Sequence, residues 1–261
     1  MSFPLRTVLR IFLVSTFLSY ISWSVPSRAA DSSPQALAIL EHAIDHWRGT
    51  SSIATFTLTI HRPDFERTMS MKGWTKGRQN GLFFVLQPPK DAGNGTLKKG
   101  REMWTYNPKI NRVIKLPPSM MSQSWMGSDF SNDDLAKSDS VLDEYTHRIT
   151  GQTIIDGLIH YTIEAIAKEE APVVWGKQEL QVREDDILLR QSFYDEDMVL
   201  VKEMIGSDIT SLDDRLFPRR WEIRRADKTD HYTRLEYRDI VFDVDISDTT
   251  FSLMSLKQKG R

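Results

Sequence analysis

The sequence predicts a mainly β protein in which a large antiparallel sheet is covered by a few α-helices. Short runs of alternating apolar and polar residues recur along most of the chain, with turn residues between them. The clearest helix starts are at Ser33 and Ser131. A sheet of about ten strands accumulates twist and tends to curl, which gives it a concave face.

The first predicted helix begins at Ser33. Pro34 suits the first helical position, where its missing amide costs nothing, and Gly49 is typical of a C-terminal cap. Apolar residues recur between these ends at spacings of three and four. They are Leu37, Leu40, Ala43 or Ile44, and Trp47. The helix therefore has one apolar stripe and needs a surface to cover.

The predicted sheet starts directly after this helix. Residues 54–61 alternate between apolar and hydroxyl or His side chains, residues 67–74 form a second strand, and residues 82–86 are a continuous apolar run. Antiparallel pairing through short turns is the natural arrangement. Later predicted strands are residues 148–155, 161–167, 177–183, 188–194, 198–205, 219–225 and 232–244.

The middle of the chain predicts a hairpin followed by a covering segment. Residues 101–116 are strand-like around an Asn-Pro turn, and two prolines end them. Residues 120–130 are apolar without a regular period, which predicts a loop against an apolar surface. Ser131 and Asp134 predict a capping box, and the helix after it should end near Leu142 or Tyr145.

The N-terminus predicts a cleaved secretory signal peptide over residues 1–29. Arg6 and Arg10 precede an apolar run over residues 11–23, and a small-x-small pattern ends at Ala29. An uncleaved anchor helix is the alternative, but the run is short and rich in Ser. Residues 30–261 are then expected to form a single domain, since no linker divides them.

Charge and cysteine content exclude several classes of protein. Loss of the leader removes three Arg and leaves 31 basic residues against 36 acidic ones, a net charge of −5. Such a surface does not suit a role that rests on nucleic-acid phosphates. Cysteine is absent, which excludes disulfides, thiolate catalysis and lipid attachment to an N-terminal Cys.

No catalytic, metal or cofactor site is predicted. Gly127-Ser128-Asp129 lacks the Gly-x-Ser-x-Gly elbow of a nucleophile. His42 and His46 lack the Glu of a zinc-binding HExxH helix. The acidic residues around Ser131 lack EF-hand spacing, so helix capping is the simpler interpretation.

Several motifs together resemble a known family. They are Trp104-x-Tyr106-x-Pro108, Gly127-Ser128-Asp129-Phe130-Ser131, Gly73-Trp74-Thr75-Lys76-Gly77, Gln87-Pro88-Pro89-Lys90-Asp91 with Gly95 and Leu97, and Pro218. From about residue 36 to its end, the chain resembles the periplasmic LolA-like outer-membrane lipoprotein-sorting proteins, in a divergent branch. The resemblance implies a half-open barrel around an apolar cavity, with helices over its mouth.

The resemblance also implies a function without bond chemistry, so the protein is not expected to be an enzyme. It implies a soluble, monomeric periplasmic carrier that binds acylated cargo, either lipoprotein or lipid, and moves it from the inner to the outer membrane. An inner-membrane exporter or transporter would be its partner. The alternative is a periplasmic accessory subunit of a membrane lipid exporter.

Met and aromatic residues are the candidates for a cavity lining. Met adapts to irregular apolar shapes, and Trp or Tyr suits the rim of an apolar site, although all of them also fill ordinary cores. Which face of the strand at residues 103–106 points inward stays open. The candidates are Phe56, Leu58, Met69, Met71, Phe84, Met103, Trp104, Tyr106, Trp125, Met126 and Phe130.

A late basic hairpin allows two interpretations. Its arginines are Arg219, Arg220, Arg224, Arg225 and Arg234. Outward charges on strands are common and protect a sheet edge from unwanted pairing. The functional alternative is docking to anionic headgroups or to an acidic partner.

Overall fold

One continuous antiparallel sheet forms the body of the protein. The computed structural model describes residues 32–258, so the predicted leader and its cleavage site lie outside the described residues. Within that range thirteen strands pair in a single sheet. The strands are β1 (Ser51–Arg62), β2 (Phe65–Lys76), β3 (Asn80–Gln87), β4 (Gly95–Lys99), β5 (Glu102–Asn107), β6 (Arg112–Lys115), β7 (Tyr145–Ile155), β8 (Leu158–Ala167), β9 (Lys177–Arg183), β10 (Leu188–Tyr194), β11 (Leu200–Leu212), β12 (Arg215–Arg225) and β13 (Tyr232–Phe242).

The strand order consists of two meanders joined in the middle. Strands β1 to β6 run outward from the centre in one direction, and β13 back to β7 run outward in the other. Pairing of β1 with β13 joins the two halves, with Ser52 opposite Phe242. The edge strands β6 and β7 do not pair with each other, so the curled sheet is a half-open barrel.

Four α-helices accompany the sheet over residues 32–258. They are α1 (Pro34–Arg48), α2 (Asn132–Ala136), α3 (Ser140–Asp143) and α4 (Leu253–Gln258). The prediction for α1 is confirmed at both ends, because Ser33 accepts a hydrogen bond from the Ala36 amide and Gly49 is the C-cap. Its buried Leu40 and Ile44 pack with Ile163 and Leu180 of the second meander.

The inner face of the first meander follows the predicted period of two. Leu58 lies opposite Met69 and Phe56 lies opposite Met71, and all four side chains are buried. The outer face has a core of its own, which the sequence did not indicate. There Leu82 and Phe84 pack with Phe251 and Leu256 of the C-terminal segment. Strand β3 is thus buried on both faces, which explains its continuous apolar run.

The covering segment, residues 117–144, differs from the prediction in one respect. The capping box is confirmed, since the side chains of Ser131 and Asp134 each accept a hydrogen bond from the backbone amide of the other residue. The single helix predicted after it is wrong, because the chain leaves the helix at Lys137 and starts α3 at Ser140. Ser138 and Asp139, two poor helix formers, instead turn their side chains towards Arg48 and Lys98.

The Phe83 ring lies so close to the first meander that two neighbouring positions must be glycine. Gly73 pairs with Phe83 across the strands, and Gly81 precedes Phe83 by two residues on the same face. A Cβ atom added at Gly73 would lie 2.8 Å from the Phe83 ring, and one added at Gly81 would lie 3.0 Å from it. The absence of side chains at both glycines therefore lets the ring lie against the sheet.

Replacement of Gly73 by Ala is expected to destabilise the protein by about 2 kcal/mol, because the new methyl group must displace the Phe83 ring. Gly151→Ala is the matched control, since its Cβ would meet Thr162 at an ordinary 3.6 Å. That change should be neutral or stabilising. The free energies of unfolding in urea compare the two variants, and equal losses would contradict the role given to Phe83.

Candidate functional site

A cavity of about 220 Å³ lies between the inner face of the sheet and the covering segment. Both meanders contribute to its wall, as do the C-terminal end of α1 and residues of the covering segment. It is larger than the roughly 150 Å³ cavity that holds benzene in an engineered protein. Its aromatic lining residues are Trp47, Phe56, Phe83, Trp125, Phe130, Tyr145, Trp175, Phe193, Trp221 and Tyr237.

Trp125 carries the aromatic part of the covering segment into the cavity. Its ring meets Phe83 edge to face, with centroids 5.9 Å apart. Its indole N–H donates to the Thr96 hydroxyl over 3.0 Å, so the polar atom is satisfied and the ring is left for apolar contact. The segment is thereby attached to β4 through a side chain that also lines the cavity.

The predicted lining residues fall into three groups in the structure. Phe56, Trp125 and Phe130 line the cavity itself. A second group packs behind the lining in the inner core, and none of its members lines the cavity. It consists of Leu58, Met69, Met71, Met103 and Met126.

The third group lies on the outer face of the sheet. Phe84, Trp104 and Tyr106 pack there with the C-terminal segment, on the side of the sheet away from the cavity. Strand β5 therefore turns Met103 inward and its two aromatic residues outward. The cavity position in β3 belongs to Phe83, one residue before the candidate Phe84. Its signal in the sequence was Gly81, two residues earlier on the same face.

Three carboxylates at intervals of five residues anchor the covering segment to the sheet. Asp129 binds Arg62 of β1, Asp134 binds Lys202 of β11, and Asp139 binds Lys98 of β4 over 3.4 Å. All six side chains are largely buried. Buried ion pairs contribute little net stability but are costly to leave half broken. The three pairs, called here the three anchors, therefore fix where the segment lies.

The Gly127–Ser131 motif serves the first anchor. The Asp129 carboxylate accepts hydrogen bonds from both terminal nitrogens of Arg62, at 3.0 and 3.1 Å, and from the Thr233 hydroxyl at 2.7 Å. The Ser128 hydroxyl is buried and donates to the carbonyl of Trp125 over 2.6 Å. This bond holds the turn of the segment closed.

Lys202 is enclosed by aromatic rings as well as by its carboxylate. Its ammonium group lies 4.7 Å from the Trp175 ring centre and 5.1 Å from the Phe193 ring centre. Both rings also line the cavity. Cation–π attraction compensates part of the hydration that the buried ammonium loses.

Burial perturbs the third anchor and its neighbour. The pKa of Lys98 is lowered from 10.5 to about 8, first by desolvation and second by the nearby charge of Arg48, while Asp139 opposes the shift. Desolvation also lowers the pKa of Arg48. Both side chains line the cavity. This part of the wall therefore holds two cations that are incompletely compensated.

The histidines and the basic hairpin have ordinary structural contacts. His46 bonds the Leu216 carbonyl, and across residues 32–258 no three His, Asp or Glu side chains cluster as metal ligands would. Strand β12 is an interior strand, so edge protection was the wrong explanation for its arginines. Arg219 pairs with Asp208, and Arg234 pairs with Glu222. No helix in the described range is long and apolar enough to cross a membrane.

Lys98 is expected to make the protein more stable as the pH rises above 8. Its pKa is about 8 in the folded state and 10.5 in an unfolded chain, so between these values the unfolded state binds more protons. From pH 8 to about 9.5 the gain is about 1.6 kcal/mol. Urea unfolding of Lys98→Met should lack this gain relative to the unsubstituted protein.

Lys99→Met, on the exposed neighbour of Lys98, is the matched control and should retain the full pH dependence. Tyr145 and Tyr237, whose pKa values burial raises to about 12, contribute equally to all three proteins. Identical pH profiles for Lys98→Met and the unsubstituted protein would contradict the buried position of Lys98.

A family model and several solved structures are similar to this protein. A family model described as "Uncharacterized protein" matches residues 77–258, and no curated protein matches the sequence. Among solved structures, an outer membrane lipoprotein-sorting protein domain from Vibrio parahaemolyticus is 20% identical and has a TM-score of 0.74, covering 86% of this chain and 99% of that chain. A DUF1329 family protein from Desulfovibrio piger is 24% identical with a TM-score of 0.77, covering 87% and 99%.

A LolA superfamily protein from Nitrosomonas europaea is 22% identical with a TM-score of 0.70, covering 84% of this chain and 98% of that chain. All three likenesses extend over nearly the whole of the other chain, so they concern the complete half-open barrel. The chain belongs to the family of uncharacterized proteins whose model spans residues 77–258, and its fold is that of the LolA-like lipoprotein-sorting proteins.

Proposed function

We propose that the protein is a periplasmic carrier that binds acylated cargo, lipoprotein or lipid, and moves it from the inner to the outer membrane. The observation that carries this proposal is the apolar cavity beneath a segment that side-chain anchors hold in place. The fold shared with a lipoprotein-sorting domain supports it. In this mechanism no bond is made or broken.

Uptake would be driven by burial of acyl chains. Each buried methylene contributes about 0.8 kcal/mol, so burial of about ten methylenes supplies the roughly 8 kcal/mol of micromolar binding. Aromatic rings from both meanders and from the covering segment would contact the chain. Release would follow when a membrane or receptor offers the acyl chain a better apolar site.

The size of the cavity indicates which part must move. About 220 Å³ admits part of one acyl chain, so cargo with several chains requires displacement of the covering segment. The three anchors hold this segment by ion pairs, which can exchange their partners for water. The short helices α2 and α3 have few internal hydrogen bonds to lose in such a movement.

The donor in this proposal is an inner-membrane exporter or transporter, and the carrier works as a monomer. The alternative is an accessory subunit of a lipid exporter, which would need no cargo of its own. Bound cargo therefore separates the two proposals.

Expressed with its own leader, the protein is expected in the periplasmic fraction, with the mass of a chain that starts at Ala30. This result follows from the small-x-small pattern that ends at Ala29. Intact mass spectrometry of the fractions measures it. A full-length mass in the membrane fraction would contradict cleavage and support an anchor.

Protein purified from its own periplasm is expected to carry an acylated molecule, which native mass spectrometry and organic extraction identify. Ala54→Phe should reduce its occupancy at least roughly tenfold, because Ala54 lines the cavity and the added ring takes the place of an acyl chain. Thr55→Phe is the matched control, since the next residue of β1 points to the outer face.

Unfolding in urea establishes that both variants are folded. Equal cargo in Ala54→Phe and Thr55→Phe would place binding outside the cavity. A clean apo mass, together with no uptake of a neutral fluorescent phenylnaphthylamine probe, would refute the carrier and favour the accessory subunit.

A further inference from the structure

The charges around the cavity do not balance. In the described part of the chain, Lys137 pairs with Asp133, Lys202 with Asp134 and Lys98 with Asp139. Arg48 also lines the cavity, but its terminal nitrogens donate to the Ser138 hydroxyl and the Gly77 carbonyl, which carry no charge. Four cations thus share three carboxylates, and the surplus positive charge lies near Arg48 and Lys98.

Unpartnered hydrogen-bond donors lie on the same cavity wall. The indole nitrogens of Trp47 and Trp221 are buried without an acceptor in the protein, and so is the Nε atom of Arg48. The two indole rings are neighbours, with centroids 5.9 Å apart. Trp221 is 2% exposed, so bulk water does not reach its N–H. Buried donors without acceptors are rare, so each requires a ligand or an ordered water as its acceptor.

The acidic residues on the other side of the cavity also have buried atoms without a hydrogen-bond partner, the Oδ1 atoms of Asp133 and Asp134, but their charges are compensated. Asp133 and Asp134 each have a lysine partner, and Asp134 also caps α2. Desolvation is the main cause of the lowered pKa values of Lys98 and Arg48, and Asp139 only partly opposes it. An anion at this wall would satisfy both the charge and the donors.

We propose that the cargo carries an oxyanion, a carboxylate or a phosphate, that binds Arg48 and Lys98 and accepts the indole N–H groups of Trp47 and Trp221. This inference rests on the proposed carrier function and names the chemical class of its cargo. The acyl chain would extend from this wall along Phe56 and Phe83. A fatty acid and a lipid phosphate both provide such a group.

Displacement of a neutral phenylnaphthylamine probe from the mature protein tests the proposal. The competitors are palmitic acid, palmitoyl lysophosphatidic acid and cetyl alcohol, which share one saturated chain length and differ in the head. At least one of the two anions is expected to bind roughly tenfold more tightly than the alcohol, because charged hydrogen bonds exceed neutral ones. Whichever anion binds more tightly identifies the source of the oxyanion.

Two variants locate the effect. Lys98→Met removes one of the two cations of this wall and Trp221→Phe removes one indole N–H. Each should reduce the preference for the anion over the alcohol, measured within the same variant, to roughly threefold or less. The matched controls are Lys99→Met, which changes an exposed lysine, and Trp74→Phe, which changes a tryptophan of the outer face. Both controls should retain the full preference.

The outcomes separate this inference from the carrier function. Equal affinity for the alcohol and both anions would refute the oxyanion site while leaving the carrier intact. Failure of all three competitors to displace the probe would refute the carrier itself. A preference that persists in Lys98→Met and Trp221→Phe, with both variants folded by circular dichroism, would place the anion elsewhere and overturn the assignment.

Discussion

The connection between the two edges of the sheet determines the rest of the structure. The chain leaves the sheet at β6, one edge, and re-enters it at β7, the opposite edge. Residues 117–144 make this crossing over the concave face, because both meanders curl around it. The open side of the half-open barrel is therefore covered by the crossing segment, and the space below this segment is the cavity.

The anchors of this crossing are electrostatic, although the surroundings are apolar. Asp129, Asp134 and Asp139 each meet a cation from a different strand of the sheet. Such pairs specify a position more than they add stability. Their spacing of five residues places one carboxylate before α2, one inside it and one before α3. The crossing is thereby held at three points, and the aromatic residues between them remain turned towards the cavity.

Local patterns in the sequence predict much of the fold and less of the site. The caps of α1, the capping box at Ser131 and the alternation along β1 are local and are confirmed. In β3 the predicted lining residue was Phe84, whereas Phe83 lines the cavity. Burial of both faces of the strand removes the alternation that would distinguish these two residues. The charge surplus at Arg48 and Lys98 joins residues from α1, β4 and the crossing, so no sequence window contains it.

The seam between β1 and β13 also has a consequence for the order of folding. Ser52 pairs with Phe242, so the strand at the centre of the sheet finds its second neighbour only near the end of the chain. Contacts of such sequence separation close late and fold slowly. During synthesis, which starts at the N-terminus, one side of β1 stays unpaired until β13 has been made. Protection of this open strand during synthesis is therefore a requirement that the topology itself imposes.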